Sequence, residues 1–202
     1  MKQNIYIFRH GETDWNDTGR IQGRIDIELN GKGLVQAKNI APFLKDIKFN
    51  HIYSSPLKRA FKTASIVAND LNIKDIIVEN NLAEYDYGEA NGLLKTEIDQ
   101  IYGDGFFSNC WSSSKPEYDN LAFKGCKTKL ETRHRLLQCV KDIAKKDKSE
   151  NLLLSSHGFA IKQLIIGSGS VNHRGLTNCE IVQFSIDLEN DTFELVTRIK
   201  TN

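Results

Sequence analysis

Two short apolar runs, each closing on a histidine followed by glycine, constrain this chain more than any other feature: Ile5-Tyr6-Ile7-Phe8-Arg9-His10-Gly11 and Leu152-Leu153-Leu154-Ser155-Ser156-His157-Gly158. A run of this length reads as a buried strand. The glycine after it permits a sharp turn or a close approach of backbone to a ligand. Each histidine then stands at the carboxyl end of a strand. Open α/β sheets bind ligands in the crevice outside those ends, so two histidines placed there are expected to face one site.

The rest of the chain alternates in the same style. A helical stripe of Leu34, Ala37, Ile40, Ala41 and Leu44 follows Asn30, a cap residue, and Pro42 predicts a kink or early break in it. His51-Ile52-Tyr53 reads as a second strand, with Ser54-Ser55-Pro56 starting a helix over 56–71. Ile76-Ile77-Val78 is a third strand, followed by a loop and a short helix over 96–102. Periodicity vanishes over 103–125, which is rich in Ser, Gly and Asn with interspersed aromatics. An ordered insertion over the site is expected at about 103–127. A helix over 128–146, with Leu130, Leu137, Val140, Ile143 and Ala144 as its buried stripe, precedes the second histidine strand. A helix over 159–166 and two β-rich runs, 181–186 and 193–199, complete the chain. The expected fold class is a single-domain three-layer α/β/α structure over 1–202, with a mostly parallel central sheet and an antiparallel end.

Composition narrows the function by exclusion. At 202 residues the chain has room for one core and a modest insertion. With 27 basic against 26 acidic residues it has no global field to collect nucleic acid or an anionic membrane, so an anion must be held locally. No apolar stretch is long enough to span a bilayer, and the first residues lead into a strand rather than a signal-peptide core; a soluble cytoplasmic protein is expected. Cys110, Cys126, Cys139 and Cys179 form no C-x-x-C pair, which argues for reduced structural thiols and against a metal or redox centre. His51, His134 and His173 read as ordinary hydrogen-bonded or exposed residues, and Lys141, Lys145, Lys146 and Lys148 as a solvated helix end.

Arg9-His10-Gly11-Glu12-Thr13, with Asn16 close behind, gathers a guanidinium, an imidazole and small donors at one strand end, a set suited to phosphate. Arg59, in the first turn of the helix after the second strand, adds a cation where the helix dipole also favours an anion.

These residues resemble the histidine phosphatase superfamily, which includes cofactor-dependent phosphoglycerate mutases and several metabolite phosphatases. The resemblance runs through Arg9-His10-Gly11-Glu12-Thr13-Asp14-Trp15-Asn16, Gly19-Arg20-Ile21-Gln22-Gly23, Leu29-Asn30 with Gly33 and Gln36-Ala37, and Ser54-Ser55-Pro56-Leu57-Lys58-Arg59-Ala60 with Thr63-Ala64. It continues in Leu82-Ala83-Glu84, Gly88 and Gly92, and ends at Ser156-His157-Gly158. It implies that His10 is a nucleophile forming a phosphohistidine and that Arg9, Asn16, Arg59 and His157 hold the phosphoryl oxygens. Glu84 would be the general acid, with Asp86 as the alternative carboxylate. Thr13, Gln22, Gly23, Tyr87 and Lys95 are expected as further substrate contacts. The two imidazoles are expected to titrate differently. No metal and no organic cofactor is implied; the partner is a small phosphorylated substrate, and a homodimer is left open.

Departures from the pattern separate the branches. Leu82-Ala83-Glu84 to Tyr87-Gly88, Gly92-Leu93 with Lys95, and Tyr102-Gly103-Asp104 match the mutases. Against that, Ser112-Ser113-Ser114 stands where mutases carry paired arginines, Tyr85 where a basic residue is expected, and Phe159 in place of an asparagine. Gly125-Cys126-Lys127 also replaces the usual glycine, glutamate and serine. Without that carboxylate clamp, hydrolysis of a phosphomonoester is expected over mutase activity, with a regulatory protein-phosphohistidine phosphatase as a further alternative. Phe106, Phe107, Trp111, Tyr118 and Phe123 either wall the pocket against a larger, less charged substrate or pack the insertion onto the core.

Overall fold

The structure, a computed structural model, describes residues 2–112, 115–171 and 174–201; Ser113, Ser114, His173 and the side chain of Cys110 lie outside what it describes. Six strands, β1 (Lys2–Arg9), β2 (His51–Ser54), β3 (Asp75–Val78), β4 (Asn151–Ser156), β5 (Ile181–Asp187) and β6 (Thr192–Ile199), form one sheet in the order β3-β2-β4-β1-β5-β6. The first four in that order run parallel, while β5 pairs antiparallel with both β1 and β6.

The alternation of side chains along β1 explains the layers. Ile5 and Ile7 point to one face, where Leu152, Leu154, Val182 and Phe184 join them under helices α5 (Lys129–Lys146) and α6 (Gly158–Gly167). Tyr6 and Phe8 point to the other, against Ile52 and Leu153, under α2 (Gly31–Lys38) with its trailing turn and α3 (Lys58–Asp70). A strand buried on both faces needs a continuous apolar run, which is what β1 and β4 carry. A third cluster, Tyr85, Tyr87, Phe107, Trp111 and Phe123 among its members, packs the 103–127 segment beside α4 (Lys95–Tyr102) and beyond the strand ends.

The early break expected around Pro42 is present, and two other local expectations need correction. Asn30 caps α2 through Gly33 N–H at 2.8 Å, but the helix ends at Lys38 and resumes only as a 3-10 turn, Ala41–Phe43. Pro42 cannot donate to a helical carbonyl, and the break leaves Leu34 at 37% exposure while Ile40 and Leu44 are fully buried. Helix α3 begins at Lys58 rather than at Pro56, because Leu57 is extended (φ −68°, ψ 131°) and serves as its cap residue. In α5 the buried face is rotated: Lys129 and Leu136 are buried and Leu130 is half-exposed. Lys129 places its ammonium 5.2 Å from the Trp111 ring centre, a cation–π contact that suits a desolvated lysine.

Candidate active site

Strand register brings the two histidines together. Arg9 pairs with Ser156 across β1 and β4, so His10 and His157 leave the sheet side by side, with ring centres 5.3 Å apart. His10 N–H then donates to Ser156 O at 3.1 Å. Close approach requires glycine at position 11 and crowds position 158. A Cβ on Gly11 would stand 2.4 Å from Gly33 O, and one on Gly158 would stand 3.2 Å from Arg9 Nε.

The hydrogen bonds fix which ring nitrogens are free. His10 Nδ1 lies 2.7 Å from Gly11 O, a carbonyl that can only accept, so Nδ1 carries the proton and Nε2 keeps its lone pair. Burial, then Arg59 and Arg9, push the His10 pKa well below its ordinary value, so the ring is neutral at pH 7. His157 Nε2 is 2.7 Å from Ser55 Oγ, which itself accepts from Leu57 N–H at 3.3 Å. With the Ser55 hydroxyl donating to Nε2, the His157 proton lies on Nδ1, a buried atom with no partner in the protein. Burial, followed by Arg59, His10 and Arg9, also depresses the His157 pKa well below the usual histidine value. Both rings share the neutral state; what differs is the nitrogen that each leaves open.

Two arginines face the same point. Arg59, the second residue of α3, is held by Gly23 O (2.7 Å) and Ile25 O (2.8 Å), and Arg9 by Leu176 O at 2.5 Å. Each keeps a buried, unpartnered Nε. Burial lowers the Arg59 pKa to about 10, with Glu84 and Asp26 opposing the shift, and both guanidiniums remain charged at pH 7. Buried donors without partners are rare, and several converging on one cavity mark an anion position. Asn16 completes the set. Its Oδ1 accepts from Thr13 N–H, Thr13 Oγ1 and Asn178 Nδ2 at 3.2–3.3 Å, which ties down the oxygen and leaves the amide NH₂ for the cavity.

The cavity has a volume of about 550 Å³ and its lining includes Arg9, His10, Asn16, Arg59 and Glu84. Gln22, Gly23, Tyr87 and Lys95 also line it; Thr13 does not, being buried as the cap of helix α1 (Asp14–Asp17). His157 is completely buried beside the His10 ring. Glu84 Oε1 accepts from Tyr85 N–H and Ala160 N–H, and its Oε2 from Phe159 N–H, so the carboxylate sits on the N-terminus of α6. Asp86 turns away, bonded to Gly88 N–H and Asn91 Nδ2, and lines a separate cavity. Of the five aromatics in the insertion, Phe107 and Trp111 line the active cavity and Phe123 is buried behind them. The two alternatives for these rings are therefore met by different residues. Sequence reasoning did not single out Arg20, Lys162, Phe159 as a wall, or Asn178, all of which line the cavity. Among the described residues no three His, Cys, Asp or Glu side chains cluster as metal ligands would, and no helix is long and apolar enough to cross a membrane.

Comparison with known proteins places these features in a family. The pattern described as "Histidine phosphatase superfamily (branch 1)" matches residues 5–198. Phosphoglycerate mutase-like protein 4 of Arabidopsis thaliana is 35% identical over 162 residues, covering 79% of this chain and 68% of the relative. A putative phosphoserine phosphatase 2 of Hydrogenobacter thermophilus is 30% identical over 203 residues, covering 98% and 96%. The crystal structure of a phosphoserine phosphatase variant from Entamoeba histolytica in complex with phosphoserine superposes with a TM-score of 0.80 at 28% identity, covering 99% of this chain and 98% of that one. The chain belongs to branch 1 of the histidine phosphatase superfamily.

Proposed function

We propose that this chain is a phosphomonoester hydrolase in which His10 is the nucleophile and Glu84 the proton donor. The observation that carries the reading is a neutral His10 whose Nδ1 proton is held by Gly11 O, with the half-buried Arg9 and the buried Arg59 lining the same cavity. Its Nε2 lone pair attacks phosphorus, the P–N bond forms and the P–O ester bond breaks. Negative charge spreads over the equatorial oxygens during transfer; Arg9, Arg59 and the Asn16 NH₂, which line the cavity, meet it, with the Nδ1–H of His157 buried beside the His10 ring as a further donor. Glu84, a carboxylate in the free protein, takes up the proton of a phosphomonoester that binds as its monoanion, passes it to the departing alkoxide, then takes one from the water that attacks the phosphohistidine, and that proton leaves with the phosphate. Phosphate leaves, and both residues return to their starting states. The donor set balances the phosphoryl charge with side chains alone, which supports a reaction without metal.

The direct test is to quench turnover of p-nitrophenyl phosphate, run in EDTA, and look for acid-labile phosphate on the enzyme. The phosphate should map to His10 and be absent in a folded His10→Ala variant, whose turnover should fall by about 10³-fold or more, as expected when a nucleophile is removed. Near wild-type turnover by that variant would overturn the assignment. Lys95 and the Tyr87-Gly88 match keep phosphoglycerate mutase as the second reading.

A further inference from the structure

A second cavity, of about 680 Å³, backs onto the active one and shares none of its lining residues. Two short segments form the partition. Gly23, Glu84 and Tyr87 face the active cavity, while their chain neighbours Arg24, Tyr85 and Asp86 face the second. Gly23 O also holds Arg59, so the candidate acid and a phosphate arginine are both anchored in this wall.

The second cavity carries charge that the protein leaves unanswered. Its cations are Arg24, Lys127 and Arg135, and its carboxylates are Asp86 and Glu131. Lys127 pairs with Glu131 at 3.1 Å. Asp86 Oδ1 accepts from Gly88 N–H and Asn91 Nδ2, and among the described residues neither arginine makes an ion pair with any acid. Instead, Arg24 Nε donates to Glu84 O at 3.3 Å, and Arg135 donates to Asn81 O and, at 2.9 Å, to Ala83 O. Two guanidiniums thus rest on consecutive carbonyls of the segment that carries the acid, against neutral acceptors alone. Burial, then Arg24, lowers the Arg135 pKa, as befits a half-buried guanidinium beside a second cation.

Three cations against two carboxylates leave one positive charge over. An occupant with one negative charge closes that count, whereas a phosphate or sulfate dianion exceeds it. A carboxylate also matches the planar guanidinium fork, and Arg24 spends only Nε on the protein among the described residues.

We propose that the second cavity is an inhibitory effector site for a small monocarboxylate, bound by Arg24 and Arg135 and coupled to Glu84 through the carbonyls they hold. The long bond from Arg24 to Glu84 O yields first to a charged acceptor, and the segment that aims the acid relaxes with it. Binding is independent of the phosphatase reading above; the inhibition rests on it.

The probe is benzoate, titrated calorimetrically into protein saturated with vanadate, with benzyl alcohol as the uncharged control. Benzoate should bind and benzyl alcohol should not. Arg24→Gln, at an exposed position, should weaken benzoate about tenfold or more, the range of a charged hydrogen bond, and Arg24→Lys should recover part of the loss. Arg135→Lys, which keeps the charge but not the fork, should weaken it as well. In steady-state assays benzoate should lower kcat for an alkyl phosphate about fivefold, and far less for p-nitrophenyl phosphate, with no relief from excess substrate. Failure of benzoate to bind the vanadate-saturated protein, or equal affinity in wild type and Arg24→Gln, would overturn the site. Binding with kcat unchanged, or inhibition that excess substrate abolishes, would overturn the coupling. An enzyme that cannot turn over p-nitrophenyl phosphate would bring down the phosphatase reading instead, while the titration still decides the cavity.

Discussion

Replacing Glu84 by glutamine should cost both stability and chemistry, and the structure sets the size of each. The carboxylate accepts three backbone N–H bonds, from Tyr85 and Ala160 at 2.9 Å and from Phe159 at 3.0 Å. An amide offers one oxygen. Its better orientation keeps the Tyr85 and Ala160 bonds and turns NH₂ against the Phe159 N–H, leaving one buried donor facing another. Such an unmet donor costs about 1–3 kcal/mol. Losing the negative charge at the α6 N-terminus adds about 0.5–1 kcal/mol. A total of about 2–4 kcal/mol lowers the melting temperature by roughly 4–16 °C in a domain of this size. Calorimetry at neutral pH measures it directly, and a shift under about 2 °C would show that the carboxylate does not anchor α6. Activity, assayed well below that transition, should fall by about 10²-fold or more for alkyl phosphates and far less for p-nitrophenyl phosphate, whose leaving group needs no proton. Equal losses on the two ester classes would remove Glu84 from proton transfer, and a larger loss in Asp86→Asn would move the role there.

Acid should weaken the ligand-free protein. His10 and His157 have folded pKa values well below 6.5, so below that pH the unfolded chain binds protons that the native state refuses, and the stability present above it is lost. Between pH 7 and 5.5 the two sites contribute a loss of at most a few kcal/mol, readable as the difference in urea unfolding between wild type and a His10→Gln/His157→Gln variant. Identical pH slopes in the two proteins would contradict it. Ser55→Ala frees the His157 tautomer, and a loss of about tenfold in vanadate affinity with little change in melting temperature is expected; unchanged affinity would show that Ser55 does not orient the ring. In an enolase-coupled assay with 3-phosphoglycerate and 2,3-bisphosphoglycerate, formation of 2-phosphoglycerate should trail phosphate release from the best monoester. A coupled rate about 10²-fold above every hydrolytic rate, a barrier difference of roughly 2.7 kcal/mol, would favour the mutase reading.

The inner site was readable because it is local. His10, Arg9, His157 and Arg59 lie at the ends or starts of elements that apolar periodicity announces, and Glu84 sits in register with glycines that resemble a known pattern. The rest of the cavity lining was not, because no short stretch encodes it. Arg20 reaches the rim through a bridge to Leu94, and Lys162 through the helix that follows β4. A lysine four residues beyond an HG motif reads as a solvated helix residue until the partner segment is in place. Helix boundaries failed for physical reasons as well. Proline at position 56 invited an early start, yet the extended Leu57 delays α3 until Lys58. The burial of Lys129 beside Trp111 depends on an aromatic contact that periodicity does not register.

The position of β1 has a dynamic consequence. It is flanked by β4 and β5 in the middle of the sheet, and the His10 amide is bonded to Ser156 O just beyond the last paired residues. Amides there exchange with solvent only when the sheet itself comes apart, whereas the aromatic cluster around Trp111 lies beyond the strands and has its own, smaller set of contacts. The floor and the aromatic wall thus rest on different packed clusters. Mild denaturant should loosen the choice of ester before it touches the reaction at phosphorus, so that selectivity fades while turnover of a simple aryl phosphate persists up to global unfolding.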